Sequence, residues 1–159
     1  MKKIFKIIII GFYISNLGCS STNVPKGSNI DNSVLSLSRK MVSTEETSKV
    51  LIHHLTAFGE NNLVSIMSDY TDESIVVTPN ATFKGLDQIE AFYVTLFAKL
   101  PSNDTQFEMN RKVIENELAY IVWYAKSRTV EISLGSDTLV VYDGKIKLHT
   151  FAGDITTIF

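Results

Sequence analysis

The sequence predicts an α+β fold in which helices come first along the chain and a long antiparallel sheet follows. In three segments before Pro101, apolar residues recur every three or four positions, as they do on one face of a helix. Beyond Pro101 apolar residues appear at every second position, which is the period of a strand. Asp143-Gly144 separates two such runs and is typical of a two-residue type I′ hairpin. We therefore expect helices packed on one face of a sheet.

Three helical segments are predicted, each with its own start and stop signals. The first follows Ser43, which opens the capping-box sequence "STEE", and ends near Gly59. The second starts at Asn61 or Asn62, and the third runs from a cap at Asp87 to Pro101. Their apolar stripes are Val50, Leu51, His54, Leu55 and Phe58; Leu63, Ile66, Met67 and Tyr70; and Ile89, Phe92, Tyr93, Leu96, Phe97 and Leu100.

Six strands are predicted. Two short ones, "SIVVT" and "ATF", are joined by Pro79-Asn80, and four longer ones cover residues 105–114, 118–133, 137–142 and 145–155. Along the second long strand, Tyr120, Val122 and Tyr124 alternate with Ala119, Ile121, Trp123 and Ala125, and both sets are apolar. The helices can cover only one of these faces, so we expect the other to meet a second copy of the sheet in a homodimer.

Residues 1–18 are predicted to be a bacterial lipoprotein signal peptide. Three lysines precede an apolar run from Ile7 to Ile14, which is too short to span a bilayer. The segment "NLGCS" resembles a lipobox, with Asn16 where that family prefers leucine. The resemblance implies that Cys19 is acylated, becomes the mature N-terminus and anchors the chain to a bacterial envelope membrane. Ser20 is not the aspartate that retains lipoproteins at the inner membrane, so the outer membrane is favoured.

The alternative is an ordinary signal peptide, which would leave Cys19 as a free thiol. In either case residues 19–42, rich in Ser, Asn, Gly and Pro, are predicted to be a polar tether. Residues 43–159 are predicted to form one domain, as suits a chain of 159 residues that is 45% hydrophobic. Removal of the signal takes away three of the 15 basic side chains and none of the 17 acidic ones. An acidic chain without a basic cluster excludes nucleic-acid binding.

Three stretches of the domain resemble the SnoaL-like branch of the nuclear transport factor 2-like superfamily. They are "HHLTAFGENNLVSIMSDYTDESIVVTP", "FKGLDQIEAFYVTLF" and the hairpin "VVYDGKI", and the resemblance covers about residues 45 to 155. It implies a cone in which a strongly curved sheet wraps around three N-terminal helices and encloses a blind apolar pocket. It also implies dimerisation through the sheet and a small apolar molecule as partner. Members include ketosteroid isomerases, polyketide cyclases and dehydratases, and no cofactor is predicted.

The adjacent histidines His53 and His54 lie on the first predicted helix. Neighbouring helical residues project about 100° apart, so the two rings cannot chelate one ion, and no metal site is predicted. His53 shares the polar face with Glu46 and Lys49, so we expect it to face solvent. His54 belongs to the apolar stripe and is expected to point into the cone.

The hairpin places the third histidine. A two-residue turn at 143–144 pairs Tyr142 with Lys145, and counting back puts Thr138 opposite His149. Alignment with the isomerases then implies that Thr138, Val140, His149 and Phe151 face the pocket. A bulge would reverse this assignment, because a slip of one residue turns every side chain to the other face.

The isomerases use an aspartate base and an oxyanion hole formed by an aspartate and a tyrosine. The resemblance implies that the corresponding positions in this chain are Thr78 for the base, Thr138 for the oxyanion aspartate and His54 for the tyrosine. None of the three residue types matches, so steroid isomerisation by that mechanism is not expected. No aspartate is expected in the pocket, because Asp69 and Asp72 are assigned to capping and solvation near a turn.

Two classes of function stay open. The preferred one is a binding module for a small apolar molecule, oriented by the pocket histidines. The other is an enzyme of the isomerase, cyclase or dehydratase type, with His54 or His149 as general acid or base. The other residues predicted to line the pocket are Leu51, Phe58, Tyr70, Val76, Thr78, Phe92, Val122, Tyr124, Thr138, Val140 and Phe151.

Overall fold

A computed structural model describes residues 42–158 and has three helices against one six-stranded mixed sheet, which confirms the predicted α+β fold. The elements in chain order are α1 (Thr44–Gly59), α2 (Leu63–Met67), β1 (Ile75–Val77), β2 (Thr82–Lys84), α3 (Gly85–Lys99), β3 (Gln106–Glu115), β4 (Leu118–Lys126), β5 (Val130–Tyr142) and β6 (Lys145–Thr157). The predicted signal peptide, Cys19 and the tether up to residue 41 lie outside the described residues. Among the helices of residues 42–158, none is both long and apolar enough to cross a membrane.

The predicted start signals hold for the first two helices. Ser43 Oγ accepts a hydrogen bond from the Glu46 backbone N–H at 3.1 Å, and Asn62 caps α2 through Ser65. The predicted cap at Asp87 is wrong. The third helix starts at Gly85, three residues earlier than that cap predicts, and there the chain takes a φ of +73° that favours glycine. Asp87 therefore lies within the first turn.

The strands follow the order β2-β1-β6-β5-β4-β3, and the β1–β6 pair is the parallel one. Along β4 the buried residues are Ala119, Ile121, Trp123 and Ala125, so this inner face carries the core. Tyr120, Val122 and Tyr124 are half-buried on the opposite side, which we call the outer face. The predicted alternation along this strand is thus confirmed.

The predicted strand 118–133 is wrong, because the chain turns after Lys126 and starts β5 at Val130. Ser127 Oγ accepts hydrogen bonds from the N–H groups of Thr129 and Val130, so one serine caps the turn without glycine, proline or asparagine. Gly135, where a break was expected, lies inside β5. The pairing of β5 with both neighbouring strands shifts register between Ile132 and Gly135, and the strand continues through this bulge.

The hairpin turn is as predicted, with positive φ at Asp143 and Gly144 and with Tyr142 opposite Lys145. The register then shifts by one residue between Val140 and Val141, so that His149 pairs with Leu139. The predicted pairing of Thr138 with His149 is therefore wrong. Paired residues share a face of the sheet, so Leu139 and Asp137 come to the inner face, and Thr138 and Val140 turn to the outer face.

Candidate functional site

A cavity of about 40 Å³ lies between the inner face of the sheet and helices α1 and α3. Its lining residues are His54, Leu55, Phe58, Phe92, Tyr93, Leu96, Phe107, Ile121, Trp123, Asp137, Leu139, His149 and Phe151. The volume has room for about three water molecules, and ligand pockets are usually about 300 Å³ or more. The inner cavity alone therefore accommodates one small group of a ligand.

Asp137 faces this cavity with both carboxylate oxygens engaged. His149 Nε2 lies 3.1 Å from Oδ1, and the Trp123 indole N–H donates to Oδ2 at 2.5 Å. The side chain is only 13% exposed, and its contacts with two ring nitrogens hold the carboxyl group in one orientation. This corrects the expectation that no aspartate faces the pocket.

The two adjacent histidines converge on a second buried aspartate. Asp69 follows α2 and is 5% exposed, and its Oδ1 lies 2.6 Å from His53 Nδ1 while its Oδ2 lies 3.1 Å from His54 Nδ1. Asp69 is therefore a buried acceptor for both rings. The expectation that it is a solvated turn residue is wrong. His53, expected to do no more than face solvent, has a half-exposed ring that also contacts Ser65 Oγ at 3.1 Å.

Two tyrosine hydroxyls join the two histidine–aspartate pairs. Tyr93 Oη lies 3.2 Å from His54 Nε2 and 2.7 Å from Tyr70 Oη, and Tyr70 Oη lies 2.8 Å from His149 Nδ1. The His54 and His149 rings meet edge to face, with their centroids 5.5 Å apart. Every buried side-chain nitrogen and oxygen of the described residues has a hydrogen-bond partner.

Burial sets the protonation of this network. It lowers the pKa of His54 below the usual 6.5, although the Asp69 hydrogen bond opposes this effect, so the resting form of His54 at pH 7 is neutral. Burial also raises the pKa of Tyr70 and of Tyr93, so neither ionises near neutral pH. The hydroxyls therefore act as neutral donors and acceptors.

A larger cleft of about 330 Å³ lies beside the cavity, and we call it the outer cleft. It is lined by Thr78, Pro79, Asn80, Phe83, Phe92, Thr95, Leu96, Lys99, Phe151, Gly153 and Ile155. Phe92, Leu96 and Phe151 line both spaces and therefore form the partition between them. The outer cleft has the volume of a small-molecule site.

The structure divides the predicted pocket residues into four groups. His54, Phe58, Phe92, His149 and Phe151 line the cavity. Leu51, Tyr70 and Val76 are buried in the core and do not line it. Thr78 lines the outer cleft, where its hydroxyl closes a turn with Ala81. Val122, Tyr124, Thr138 and Val140 lie on the outer face, which corrects their predicted position.

The sequence reasoning missed Asp69 and Asp137 and placed Tyr93 only in an apolar stripe. A signal for Asp137 exists, because it alternates with Leu139 and Val141, two apolar residues of the same strand. No comparable local signal marks Asp69, whose partners lie 15 and 16 residues earlier in the chain. Within residues 42–158, no group of three or more His, Cys, Asp or Glu side chains is placed to hold a metal ion.

No protein-family model and no curated protein matches this sequence, whereas solved structures do match its fold. A protein provisionally named a ketosteroid isomerase from Kribbella flavida superposes with a TM-score of 0.60 at 14% identity, covering 71% of this chain and 81% of that one. A provisionally named SnoaL-like polyketide cyclase from Jannaschia has a TM-score of 0.60 at 12% identity, covering 69% and 86%. A de novo designed protein with a curved β-sheet has a TM-score of 0.61 at 18% identity, covering 71% and 88%. These likenesses show the fold alone, which is the cone-shaped nuclear transport factor 2-like fold.

Proposed function

We propose that this domain binds a small, mostly apolar molecule and transfers a proton at one of its carbon atoms, with Asp137 as the base and His149 as its partner. The observation that carries the proposal is the Asp137–His149 pair, which lies inside an apolar cavity beside a ligand-sized cleft. A carboxylate held in this way is fixed in place before any ligand arrives, as acid–base catalysis needs.

The outer cleft and the inner cavity would hold different parts of the ligand. The outer cleft has room for the body of a ligand, and the inner cavity has room for one small group. A molecule seated in the cleft would pass its reacting group between the side chains of the partition formed by Phe92, Leu96 and Phe151. Apolar walls would exclude water from the carboxylate and strengthen its interactions with the bound molecule.

The reaction class is proton transfer at a carbon next to a carbonyl group, a step that isomerisation, cyclisation and dehydration reactions share. Asp137 would take the proton, and the electron pair of the broken C–H bond would remain in the ligand as an enolate. Return of a proton to the same atom gives exchange with solvent, and return to another atom gives isomerisation. Pure binding, the function preferred from the sequence, gives Asp137 no role as a base.

Deuterium exchange of cyclohexanone in heavy water, followed by NMR, tests the proposal. The protein should accelerate exchange at the carbons next to the carbonyl, and Asp137→Asn should lower that rate about a hundredfold or more. Asp154→Asn removes the same charge from an exposed site on β6 and is the matched control, which should behave like the unaltered protein. Chemical-shift changes on addition of the ketone report binding separately.

Two results would contradict the proposal that Asp137 is a catalytic base. One is binding of cyclohexanone without exchange, which would leave a carrier. The other is equal exchange in the Asp137→Asn and Asp154→Asn variants, which would place the base elsewhere.

We also propose that Cys19 anchors the domain to a bacterial envelope membrane, because acylation explains a lone cysteine after an exported segment. Mass spectrometry of the mature N-terminus should find Cys19 as the first residue, carrying acyl chains. An intact, unacylated Cys19 in a membrane-free extract would overturn this proposal.

A further inference from the structure

A continuous chain of hydrogen bonds leads from the protein surface to the inner cavity. Its members, in order, are His53, Asp69, His54, Tyr93, Tyr70 and His149. The contacts along it measure 2.6, 3.1, 3.2, 2.7 and 2.8 Å. At the outer end the His53 side chain is 47% exposed, and at the inner end His149 contacts Asp137 in the cavity.

The central part of this chain has room for one proton more than neutral side chains supply. A carboxylate only accepts hydrogen bonds, so His54 Nδ1 and His149 Nε2 must each carry a proton toward their aspartates. In neutral rings, His54 Nε2 and His149 Nδ1 are then bare acceptors. Between them lie three short contacts, and the Tyr93 and Tyr70 hydroxyls bring only two protons to fill them.

The geometry points to a place for a third proton that is occupied only during transfer, and we propose that the chain from His53 to His149 is a proton path between solvent and the cavity. The role of this path rests on the proposed function, because a catalytic base in a closed cavity must exchange protons with water. Its existence is a property of the network and can be tested without any substrate.

The transfer step balances along the two tyrosines. A proton leaves Nδ1 of a doubly protonated His149 for Tyr70 Oη, while Tyr70 gives its own proton to Tyr93 and Tyr93 gives its own to His54 Nε2. Each hydroxyl keeps one proton throughout, and the positive charge moves from the His149 ring to the His54 ring. Transfer in the opposite direction restores the starting arrangement.

Asp69 connects His54 to the surface. The His54 Nδ1 proton passes to Asp69 Oδ2, and rotation of the carboxyl group presents that proton to His53 Nδ1. At rest His53 Nδ1 carries a proton toward Asp69, so the half-exposed ring must first exchange through water to the tautomer protonated at Nε2, where Ser65 Oγ lies 3.1 Å away as an acceptor. His53 Nδ1 is then bare and accepts the proton from Asp69. The half-exposed ring then releases a proton to water.

Solvent exchange of the histidine ring N–H protons, measured by NMR on protein carrying isotope-labelled histidine, tests the path. Tyr93→Phe removes one hydroxyl from the middle and should slow exchange at His149 about tenfold, while His54 stays within about twofold. His53→Gln cuts the outer end and should slow exchange at both His54 and His149. Tyr70→Phe should slow exchange at His149 less, because Tyr93 Oη lies 3.4 Å from His149 Nδ1 and offers a shorter route.

Tyr124→Phe is the matched control, because it deletes a hydroxyl on the outer face and should leave both rings unchanged. Unchanged exchange at His149 in both Tyr93→Phe and His53→Gln would overturn the path, and so would faster exchange at both rings in either variant. His53 lies at the surface, so His53→Gln gives a folded test even if a buried tyrosine variant fails to fold. A working path without ketone exchange would refute the proposed function alone, and ketone exchange without the path would refute this inference alone.

Discussion

Substitution of Gly135 by alanine should disturb both the sheet and the carboxylate of the site. A Cβ at this position would lie 2.6 to 2.7 Å from three atoms of the Trp123 ring, closer than real Cβ atoms approach. The ring has little room to yield, because it packs on Phe107 and Phe151 with centroid distances of 5.4 and 5.8 Å, and its N–H is bonded to Asp137.

The expected loss of stability is that of an overpacked core, about 1–3 kcal/mol. For a domain of this size, ΔG of unfolding falls by about 1–3 kcal/mol per molar urea, so the midpoint should drop by about 1 M. Displacement of Trp123 would also remove a hydrogen bond from Asp137, so ketone exchange should fall together with stability.

Urea unfolding followed by tryptophan fluorescence is the assay, since Trp123 is the single tryptophan of the chain and reports from the altered spot. Ser136→Ala, one residue along β5, is half-buried with its side chain on the outer face and should change stability by no more than about 0.5 kcal/mol. If Gly135→Ala matched Ser136→Ala in midpoint and in emission, the close approach of Trp123 to β5 would be wrong. The placement of Asp137 would then lose its support.

Two further predictions concern pH and assembly. Burial lowers the pKa of His54 below 6.5, so as the pH falls through that value the unfolded chain gains a proton that the folded chain does not, and stability is lost toward acid. His54→Gln should remove that part of the difference between urea midpoints at about pH 8 and about pH 5, and an unchanged difference would contradict it. We also propose dimerisation through the outer face, so sedimentation at tens of micromolar should show a dimer that Val122→Glu converts to monomers. A monomer before substitution would refute the dimer.

The sequence predicted the elements well because each is encoded locally. The helices have apolar stripes and caps at Ser43 and Asn62, and the Asp143-Gly144 turn follows from the backbone conformations those residues tolerate. The exceptions were local too. A serine closed the turn at Ser127 through its own side chain, and Gly135 lay within a strand that bulges.

The site was harder to predict, because it depends on register and on long-range contacts. One extra residue in β6, between Ile146 and Leu148, moved Asp137 to the inner face and Thr138 to the outer face. No local sequence pattern predicts that bulge. The role of Asp69 depends on the packing of helix α1 against the chain that follows α2. Only this packing brings both histidines to the carboxyl oxygens of Asp69. Sequence patterns identified the two candidate histidines, and tertiary structure supplied their carboxylates.

The energetics of the network favour a functional origin. A buried and a nearly buried aspartate, two buried histidines and two buried tyrosines occupy space that apolar side chains could fill without any desolvation cost. Because the groups are linked, loss of one leaves its neighbours unpaired at about 1–3 kcal/mol each, so the network is stable only when complete. Such an arrangement weakens the fold's tolerance of substitution. Its value lies instead in the fixed orientation of groups that exchange protons beside a cavity, which proton transfer requires and a simple apolar carrier does not.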